Sequence, residues 1–260
     1  MPPPAKPRDA FVAPPSHGQE LAKPAKLASS EDGSSSEPAP VTALLFSGGL
    51  DSAILLGRLL QEQAEIVPLY IRSDVVWQPA EQRAVDRLLQ QLRTPRLASL
   101  VQLDMPLGDL YGEHWCTGGW GTPDAGTPDE AVYLPGRNPL LLIKALVWCR
   151  LHGIPRLAIA LLRSNPFADA TPEFFQAFER AIDLAVGGRV SIARPFAELS
   201  KLEVMRLGAG LPLELTFSCI DPLDGLHCGV CNKCGERQAA FQAAQMEDRT
   251  LYASRLQPAK

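Results

Sequence analysis

Residues 46–52 read Phe46-Ser47-Gly48-Gly49-Leu50-Asp51-Ser52, and the patterns on either side of this stretch indicate the class of fold. An apolar, β-prone run over residues 41–46 leads into it, and apolar residues at helical spacing follow it over residues 53–60. The pattern predicts a strand, a tight turn and a helix, which together point backbone N–H groups and a helix N-terminus at one position. The sequence therefore predicts an anion-binding loop directly after the first strand.

Each residue type in this loop suits a phosphate group. Gly48 and Gly49 allow the backbone to approach a bulky anion, and the hydroxyls of Ser47 and Ser52 can donate hydrogen bonds to phosphate oxygens. Asp51 suits three roles, namely capping the turn, orienting it, or holding a Mg²⁺ ion that bridges phosphates. The stretch matches neither a Walker loop nor a dinucleotide fingerprint. A Ser/Gly-rich turn that only caps a helix is the competing interpretation.

Composition and charge argue against several classes of protein. The hydrophobic content is 46% and the net charge is −4, so the overall balance gives no reason to expect nucleic acid or an anionic membrane as a partner. The apolar runs are too short to span a bilayer, and the N-terminus lacks the pattern of a secretory signal. We expect a cytoplasmic protein with one α/β domain and a small appendage.

The order of apolar patterns predicts the architecture. Residues 1–40 are rich in Pro, Ala, Ser and Lys, which predicts a disordered tail. Beyond them strands alternate with helices, which predicts a doubly wound, parallel, five-stranded sheet. The polar segment 106–129 lacks periodicity and contains several aromatic residues, so we expect a functional or disordered loop such as a substrate lid. The predicted strands are residues 41–46, 65–71, 97–103, 157–162 and 190–193, and the main helices are residues 53–60, 79–92, 140–151, 199–207 and one from residue 171.

Four polar side chains outside the first loop are candidates for the site. Arg137 and Asn138 follow a Pro-Gly turn at a helix entrance, where Arg137 can contact phosphate or carboxylate and Asn138 can cap the helix or recognise an amide or base edge. Simple N-capping beside a solvated arginine is the competing interpretation. Lys201 can reach phosphate, although a lysine in a first helical turn is usually solvated. His114 lies in the long loop and is more often a surface residue than a catalytic one.

Four of the six cysteines are crowded near the C-terminus, which suggests a metal site rather than disulfides. They are Cys219, Cys228, Cys231 and Cys234. Four thiolates at this spacing satisfy tetrahedral zinc with no open position, which is a structural arrangement. An iron–sulfur cluster also takes four cysteines, and His227 is a substitute ligand. The remaining two, Cys116 and Cys149, are predicted to be a loop thiol and a buried core residue.

The first loop resembles the pyrophosphate-binding loop of the N-type ATP pyrophosphatases, which split ATP between its α and β phosphates. Together with residues 133–138, residues 211–219 and the closing cysteine run at residues 228–234, it makes the chain resemble the 7-cyano-7-deazaguanine synthase family over about residues 41–245. The resemblance implies an adenine nucleotide alpha hydrolase-like fold with a C-terminal zinc-binding helical appendage. It places a PP-loop ATP pyrophosphatase domain at residues 41–210 and a four-cysteine zinc-binding region at residues 211–260.

The resemblance also implies a reaction, which converts a 7-carboxy-7-deazaguanine and ammonia to the nitrile. ATP adenylates the carboxylate, ammonia displaces AMP to give an amide, and a second adenylation and dehydration give the nitrile. The implied cofactors are ATP, Mg²⁺ and Zn²⁺, and the implied assembly is a homodimer without direct contact to nucleic acid. Asp51, Arg137 and Asn138 are then catalytic, and the four cysteines hold the zinc ion. The expected ATP-binding residues are Ser47, Gly48, Gly49, Leu50, Asp51, Ser52 and Lys201.

Two segments depart from the pattern of that family. A Tyr-Gly-Gln-Arg-His type segment usually follows the second strand, whereas this chain has Tyr70-Ile71-Arg72-Ser73-Asp74. A Tyr-Pro-Asp-Cys segment usually follows the fourth strand, whereas here Asn165, Phe167 and Asp169 precede the next helix. Two alternatives therefore stay open. One is a divergent paralogue that adenylates or amidates another small-molecule or protein carboxylate, and the other is a zinc-stabilised nucleotide-binding interaction module that is not an enzyme.

Overall fold

A five-stranded, all-parallel sheet forms the centre of the protein. The computed structural model describes residues 41–118 and 120–254, and within them the strand order is β3-β2-β1-β4-β5. This confirms the predicted doubly wound parallel sheet, whereas the tail predicted at residues 1–40 lies outside the described residues. The strands are β1 (Thr42–Leu45), β2 (Ile66–Arg72), β3 (Val101–Asp104), β4 (Arg156–Ala158) and β5 (Ser191–Ala193).

Helices connect the strands and cover both faces of the sheet. None of the helices in the described part of the chain is long and apolar enough to cross a membrane. Single 3-10 turns lie at Asp129–Val132, Ala168–Ala170 and Leu213–Leu215. The α-helices are α1 (Leu50–Gln61), α2 (Gln78–Gln91), α3 (Gly108–Tyr111), α4 (Trp115–Gly118), α5 (Arg137–Leu151), α6 (Pro172–Val186), α7 (Lys201–Leu207) and α8 (Asn232–Ala243).

Each face of the sheet has its own apolar core, because successive side chains of a strand point to opposite faces. Leu44 of β1 packs in a cluster with residues of α1, α2, α7 and α8, whereas its neighbour Ala43 packs with residues of α5 and α6. Leu55 on α1 and Leu146 on α5 are both completely buried. Burial on both faces explains why the strands read as nearly continuous apolar runs.

The order of the strands determines where a ligand can enter. β1 pairs with β2 on one side and with β4 on the other. The strands from β1 to β3 are therefore added in one direction across the sheet, and β4 and β5 are added in the opposite direction. In open parallel sheets a crevice forms at the carboxyl ends of the strands on either side of such a reversal. The loop that follows β1 lies at this crevice, and α1 begins immediately after it.

Two strands, β3 and β4, differ most from the ranges that the sequence predicts. The strand predicted over residues 97–103 begins at Val101, because the residues before it form only an isolated bridge to β2. The strand predicted over residues 157–162 ends at Ala158, because its partner β5 ends at Ala193, directly opposite Ala158, and pairing with β1 stops at Leu44. The residues that follow Ala158 leave the sheet and line the cavity described below.

The segment predicted as a long irregular loop is more ordered than expected. It contains α3 and α4, and the ring of Trp115 stacks on Trp77 with a centroid distance of 5.8 Å. Cys116, predicted to be a loop thiol, is completely buried because α4 packs into an apolar cluster with Val75 and Leu134. Cys149 is also completely buried, as predicted.

Candidate active site

A cavity of about 440 Å³ opens at the crevice between β1 and β4. The loop after β1 forms one side of the cavity, and the first residues of α5 form another. Gly48 is the one residue of the predicted ATP-binding and catalytic set that does not line it, because its position lies against α2. The residues of that set which do line the cavity are Ser47, Gly49, Leu50, Asp51, Ser52, Arg137, Asn138 and Lys201.

The N-terminus of α1 is open to an anion. Gly49 is the N-cap residue of α1, and no side chain caps the N–H groups of the first turn. The Ser52 hydroxyl donates to the Gly49 carbonyl oxygen at 3.1 Å and lies 3.2 Å from the Ser47 hydroxyl oxygen. These contacts hold the loop in a shape whose free N–H groups can receive phosphate oxygens.

The tight turn after β1 requires glycine at position 48. Gly48 has φ +72°, a conformation that costs a residue with a Cβ atom about 1–3 kcal/mol. A Cβ atom there would also lie 2.7 Å from Cγ2 of Val85 on α2. The turn can therefore bring the loop against α2 only when residue 48 has no side chain.

We expect Gly48→Ala to lower the free energy of unfolding by about 2–3 kcal/mol, because it combines an unfavourable φ with overpacking against Val85. Urea denaturation measures this change. Gly49→Ala is the matched control, since Gly49 has φ −73° and a Cβ atom there would meet no atom closer than 3.4 Å. Equal losses of stability in the two variants would contradict the explanation.

Lys201 joins the first loop to the C-terminal region. Its Nζ atom lies 2.9 Å from both carboxylate oxygens of Asp51 and 3.2 Å from Oε1 of Glu236 on α8. Burial disfavours the charged lysine, but the two carboxylates outweigh it and raise the pKa of Lys201 above its usual value. Lys201 is therefore a charged, ion-paired group rather than the solvated side chain that is usual in a first helical turn.

Arg137 and Asn138 occupy the start of α5, as predicted, but Asn138 does not cap the helix. The N-cap position belongs to Gly136, and the Asn138 amide instead donates to Oδ1 of Asp169 at 3.0 Å. The capping role considered for Asn138 is therefore wrong, because the residue lies inside the first turn. Among the described residues, the Nε atom of Arg137 and Oδ2 of Asp169 are buried without a hydrogen-bond partner.

Glu81 lines the same cavity and was missed by the sequence analysis. Burial raises the pKa of its carboxyl group to about 7, although Arg137 and hydrogen-bonding contacts with Tyr70 and Trp77 act in the opposite direction. Glu81 precedes Val85 by four residues on the apolar face of α2. In the sequence, the signal that could have identified Glu81 was an acidic residue at a position of α2 where the helical spacing of apolar residues predicts a buried side chain.

Glu81→Gln should remove a pH dependence of stability. The pKa of Glu81 is raised in the folded state, so the native protein holds a proton that the unfolded chain releases. This contribution is fully present below about pH 4.5 and is lost as the pH rises through about 7. We expect the free energy of unfolding of the wild type, measured with urea, to fall by about 3 kcal/mol relative to Glu81→Gln between pH 4.5 and 8. Parallel pH profiles of the two proteins would contradict the raised pKa.

The four C-terminal cysteines form a compact, buried group. One sulfur atom from each lies within 4.8 Å of all the others, and the Cys219–Cys231 and Cys228–Cys234 sulfur distances are both 3.9 Å. Backbone N–H groups donate to the sulfurs of Cys219 and Cys228. A tetrahedron with Zn–S bonds of about 2.3 Å puts neighbouring sulfurs about 3.8 Å apart, so this donor set fits one tetrahedral metal ion.

His227, considered as a substitute ligand, is not part of this group. Its Nε2 atom accepts a hydrogen bond from the backbone N–H of Ser218 at 3.1 Å, and its ring packs beside Phe217 and Tyr252. His114, the residue before α4, likewise packs against aromatic rings, and its Nδ1 atom lies 3.2 Å from the sulfur of Cys116.

The cysteine group also determines where α8 begins. Cys231 is the N-cap residue of α8 and Cys234 lies in its first turn. Lys233 and Glu236 of the same helix line the cavity, and their side chains form an ion pair at 2.8 Å. A metal ion held by the cysteines would therefore fix the turn that places these two charges near the first loop.

Comparison with known proteins identifies a matching family model and several related sequences. The model of a family described as queuosine biosynthesis protein QueC matches residues 42–245. The chain is 32% identical to a 7-cyano-7-deazaguanine synthase of Novosphingobium aromaticivorans over 228 residues, covering 82% of this chain and 95% of that protein. It is also 32% identical to a synthase of the same name from Thiobacillus denitrificans, covering 82% of this chain and 99% of that protein. A solved structure of the U34-tRNA thiolase NcsA from Methanococcus maripaludis is similar at a TM-score of 0.45 and 11% identity, covering 79% of this chain and 67% of that one.

Proposed function

Because the chain belongs to the queuosine biosynthesis protein QueC family, and so to the enzymes of queuosine-precursor synthesis, we propose that it makes 7-cyano-7-deazaguanine. The substrates are 7-carboxy-7-deazaguanine, ammonia and ATP, and the products besides the nitrile are AMP and pyrophosphate. One observation carries the proposal. A single cavity is lined by the open N-terminus of α1 at the first loop and by Arg137 and Asn138, so a nucleotide and an acid can meet inside it.

The first step activates the carboxylate, which is a poor acyl donor until its oxygen becomes part of a good leaving group. The carboxylate oxygen attacks the α-phosphorus of ATP, and the bond to the β-phosphate breaks to release pyrophosphate. The N–H groups of the first turn of α1 and the hydroxyls of Ser47 and Ser52 receive the negative charge of the departing group. Arg137, at the start of α5 on another side of the cavity, holds the acid or the α-phosphate by its guanidinium group.

Asp51 and Lys201 change partners in this proposal. Mg²⁺, when bound with ATP, neutralises phosphate charge, and Asp51 is the carboxylate that would hold it. Asp51 must then release Lys201, whose ammonium group turns to the phosphates while Glu236 still balances it. The ion pairs seen between these side chains keep both charges in place until the nucleotide enters.

Ammonia then displaces AMP from the acyl adenylate to form an amide and loses a proton. Glu81, whose pKa is raised to about 7, is suited to accept that proton near neutral pH. The amide oxygen attacks the α-phosphorus of a second ATP and releases a second pyrophosphate. Elimination of AMP, together with the loss of both amide N–H protons, then gives the nitrile. Two ATP molecules are consumed for each nitrile formed.

The C-terminal cysteines have a structural part in this proposal. We assign residues 41–210 to the nucleotide-binding domain and residues 211–260 to a zinc-binding region. Four sulfur ligands leave zinc no open position, so its chemistry there is to organise the chain rather than to activate a substrate. The homodimer that the family resemblance implies stays a prediction, and analytical ultracentrifugation tests it.

Mass spectrometry of the products tests the proposed function. Purified protein is incubated with Mg-ATP, ammonium and 7-carboxy-7-deazaguanine, and we expect the nitrile together with two AMP molecules for each nitrile. Intact acid in a protein that still binds ATP would point to the alternative of a paralogue with another carboxylate substrate. A protein that binds ATP but releases no AMP with any carboxylate tested would leave the non-enzymatic nucleotide-binding module as the explanation.

A further inference from the structure

A second, smaller cavity of about 160 Å³ adjoins the first. Neither the loop at residues 47–52 nor Lys201 lines it, so it lies away from the expected phosphate position. Its volume is below the roughly 300–1,000 Å³ typical of pockets for drug-sized ligands, which suits a single small ring system rather than a nucleotide. The residues that line both cavities are Trp77, Arg137, Asn138, Phe167, Ile220 and Lys233.

Aromatic rings form much of the wall of the smaller cavity. Trp77 stacks on Trp115 with ring centroids 5.8 Å apart, and Tyr133 stacks on Phe167 with centroids 4.7 Å apart. All four rings line this cavity. Broad aromatic surfaces of this kind favour a flat, conjugated ligand, because its faces can pack against theirs.

Asp169 supplies a buried hydrogen-bond acceptor to the same cavity. Its side chain is only 7% exposed, and Oδ1 is occupied by the hydrogen bond from Asn138. Oδ2 is buried and has no partner among the described residues. An unpaired buried carboxylate oxygen is costly, so it marks a position where a ligand N–H group would be strongly favoured.

We propose that the smaller cavity binds the ring of the acid substrate and that Asp169 is its specificity-determining residue, with Oδ2 accepting hydrogen bonds from the 2-amino and ring N–H groups. This assignment rests on the proposed function. In 7-carboxy-7-deazaguanine these N–H groups lie on the six-membered ring, at the end away from the carboxylate. The carboxylate then reaches Arg137, which lines both cavities and has an unpaired buried Nε atom.

Oδ2 of Asp169 can only accept hydrogen bonds, so the assignment predicts that a ring with a donor at position 2 binds better than a ring with an acceptor there. A 2-oxo analogue of the acid carries a carbonyl oxygen where the natural ring carries an amino group. The 2-oxo oxygen and Oδ2 of Asp169 would then face each other in a buried site, so Oδ2 would keep only the ring N–H donor and the 2-oxo oxygen would have none. In Asp169→Asn the side-chain carbonyl can still accept from Asn138, and the new NH₂ group can donate to the 2-oxo ring.

Calorimetric titration of the two ring acids, with a non-hydrolysable ATP analogue present, tests the assignment. We expect the wild type to bind the 2-amino acid at least about tenfold more tightly than the 2-oxo analogue, and Asp169→Asn to reverse that preference. Glu173→Gln is the matched control, because it removes a carboxylate that is exposed and lines neither cavity. This control should keep the preference of the wild type.

The possible outcomes separate this assignment from the proposed function. Equal affinity of the wild type for the two acids, or a preference that Asp169→Asn leaves unchanged, overturns the assignment while the proposed function stands. A wild type that binds the nucleotide but neither acid overturns both. Nucleotide binding and the melting temperature show whether Asp169→Asn is folded, and if it is not, the preference of the wild type alone decides.

Discussion

Asp51→Ala is expected to lower kcat/KM for nitrile formation by about a thousandfold or more while the protein stays folded. Asp51 is the one carboxylate of the first loop, and it lies in the cavity in contact with Lys201 at 2.9 Å. In the proposed reaction it holds the metal ion that neutralises the departing pyrophosphate. Removal of one group that stabilises charge at a reaction centre lowers the rate by about 10²–10³-fold. Asp51→Ala also removes the carboxylate that would hold the metal ion, which lowers the rate further.

A matched variant on the same helix separates this effect from a general effect of charge. Glu62 lies at the opposite end of α1, where it forms a surface ion pair with Arg58. About half of the Glu62 side chain is exposed. Glu62→Ala therefore removes a paired carboxylate without touching the cavity, and its kcat/KM should equal that of the wild type. Wild-type turnover in Asp51→Ala would show that the nucleotide position is wrong.

Removal of the metal ion should have the largest effect on stability, lowering the melting temperature by about 10 °C or more. All four cysteines are buried, so without a metal ion their polar sulfur atoms lose the bonds that hold this region together. α8 begins within the cysteine group, and its residues Ala240 and Phe241 pack in the apolar core that contains Leu44 of β1. Loosening of this helix also withdraws Glu236 from Lys201, so we expect the metal-free protein to bind ATP more weakly.

The measurement combines a chelator, metal analysis, a melting curve and an ATP titration. Cys228→Ala should lose the metal ion and show the same two effects. Cys149→Ala is the control, because Cys149 is an equally buried cysteine outside the group, and its loss should cost only about 1 kcal/mol of packing. A melting curve that does not change although metal analysis confirms the loss of the ion would contradict a structural role.

The site shows where prediction from the sequence reached its limit. The loop after β1 and the cysteine run are short segments, so the residue types and their spacing already carry the information that predicts an anion site and a metal site. Lys201 and Asp51 are separated by 150 positions in the chain, and no local pattern indicates that they form an ion pair. Asp169 and Asn138, separated by 31 positions, were both noted in the sequence, but not as partners.

The amino-acid sequence alone was enough to predict the parallel five-stranded sheet, the position of the loop after its first strand and the grouping of four cysteines. These depend on hydrophobic period and on the spacing of neighbouring residues, which are local properties of the chain. Three further features became visible only in the three-dimensional structure. Lys201 pairs with Asp51 and Glu236, Glu81 lines the cavity with a raised pKa, and Asp169 has a buried oxygen without a partner among the described residues. The reason is physical, because burial and pairing depend on which distant elements pack together, and those contacts set the cost of a charge and the position of an unpaired acceptor.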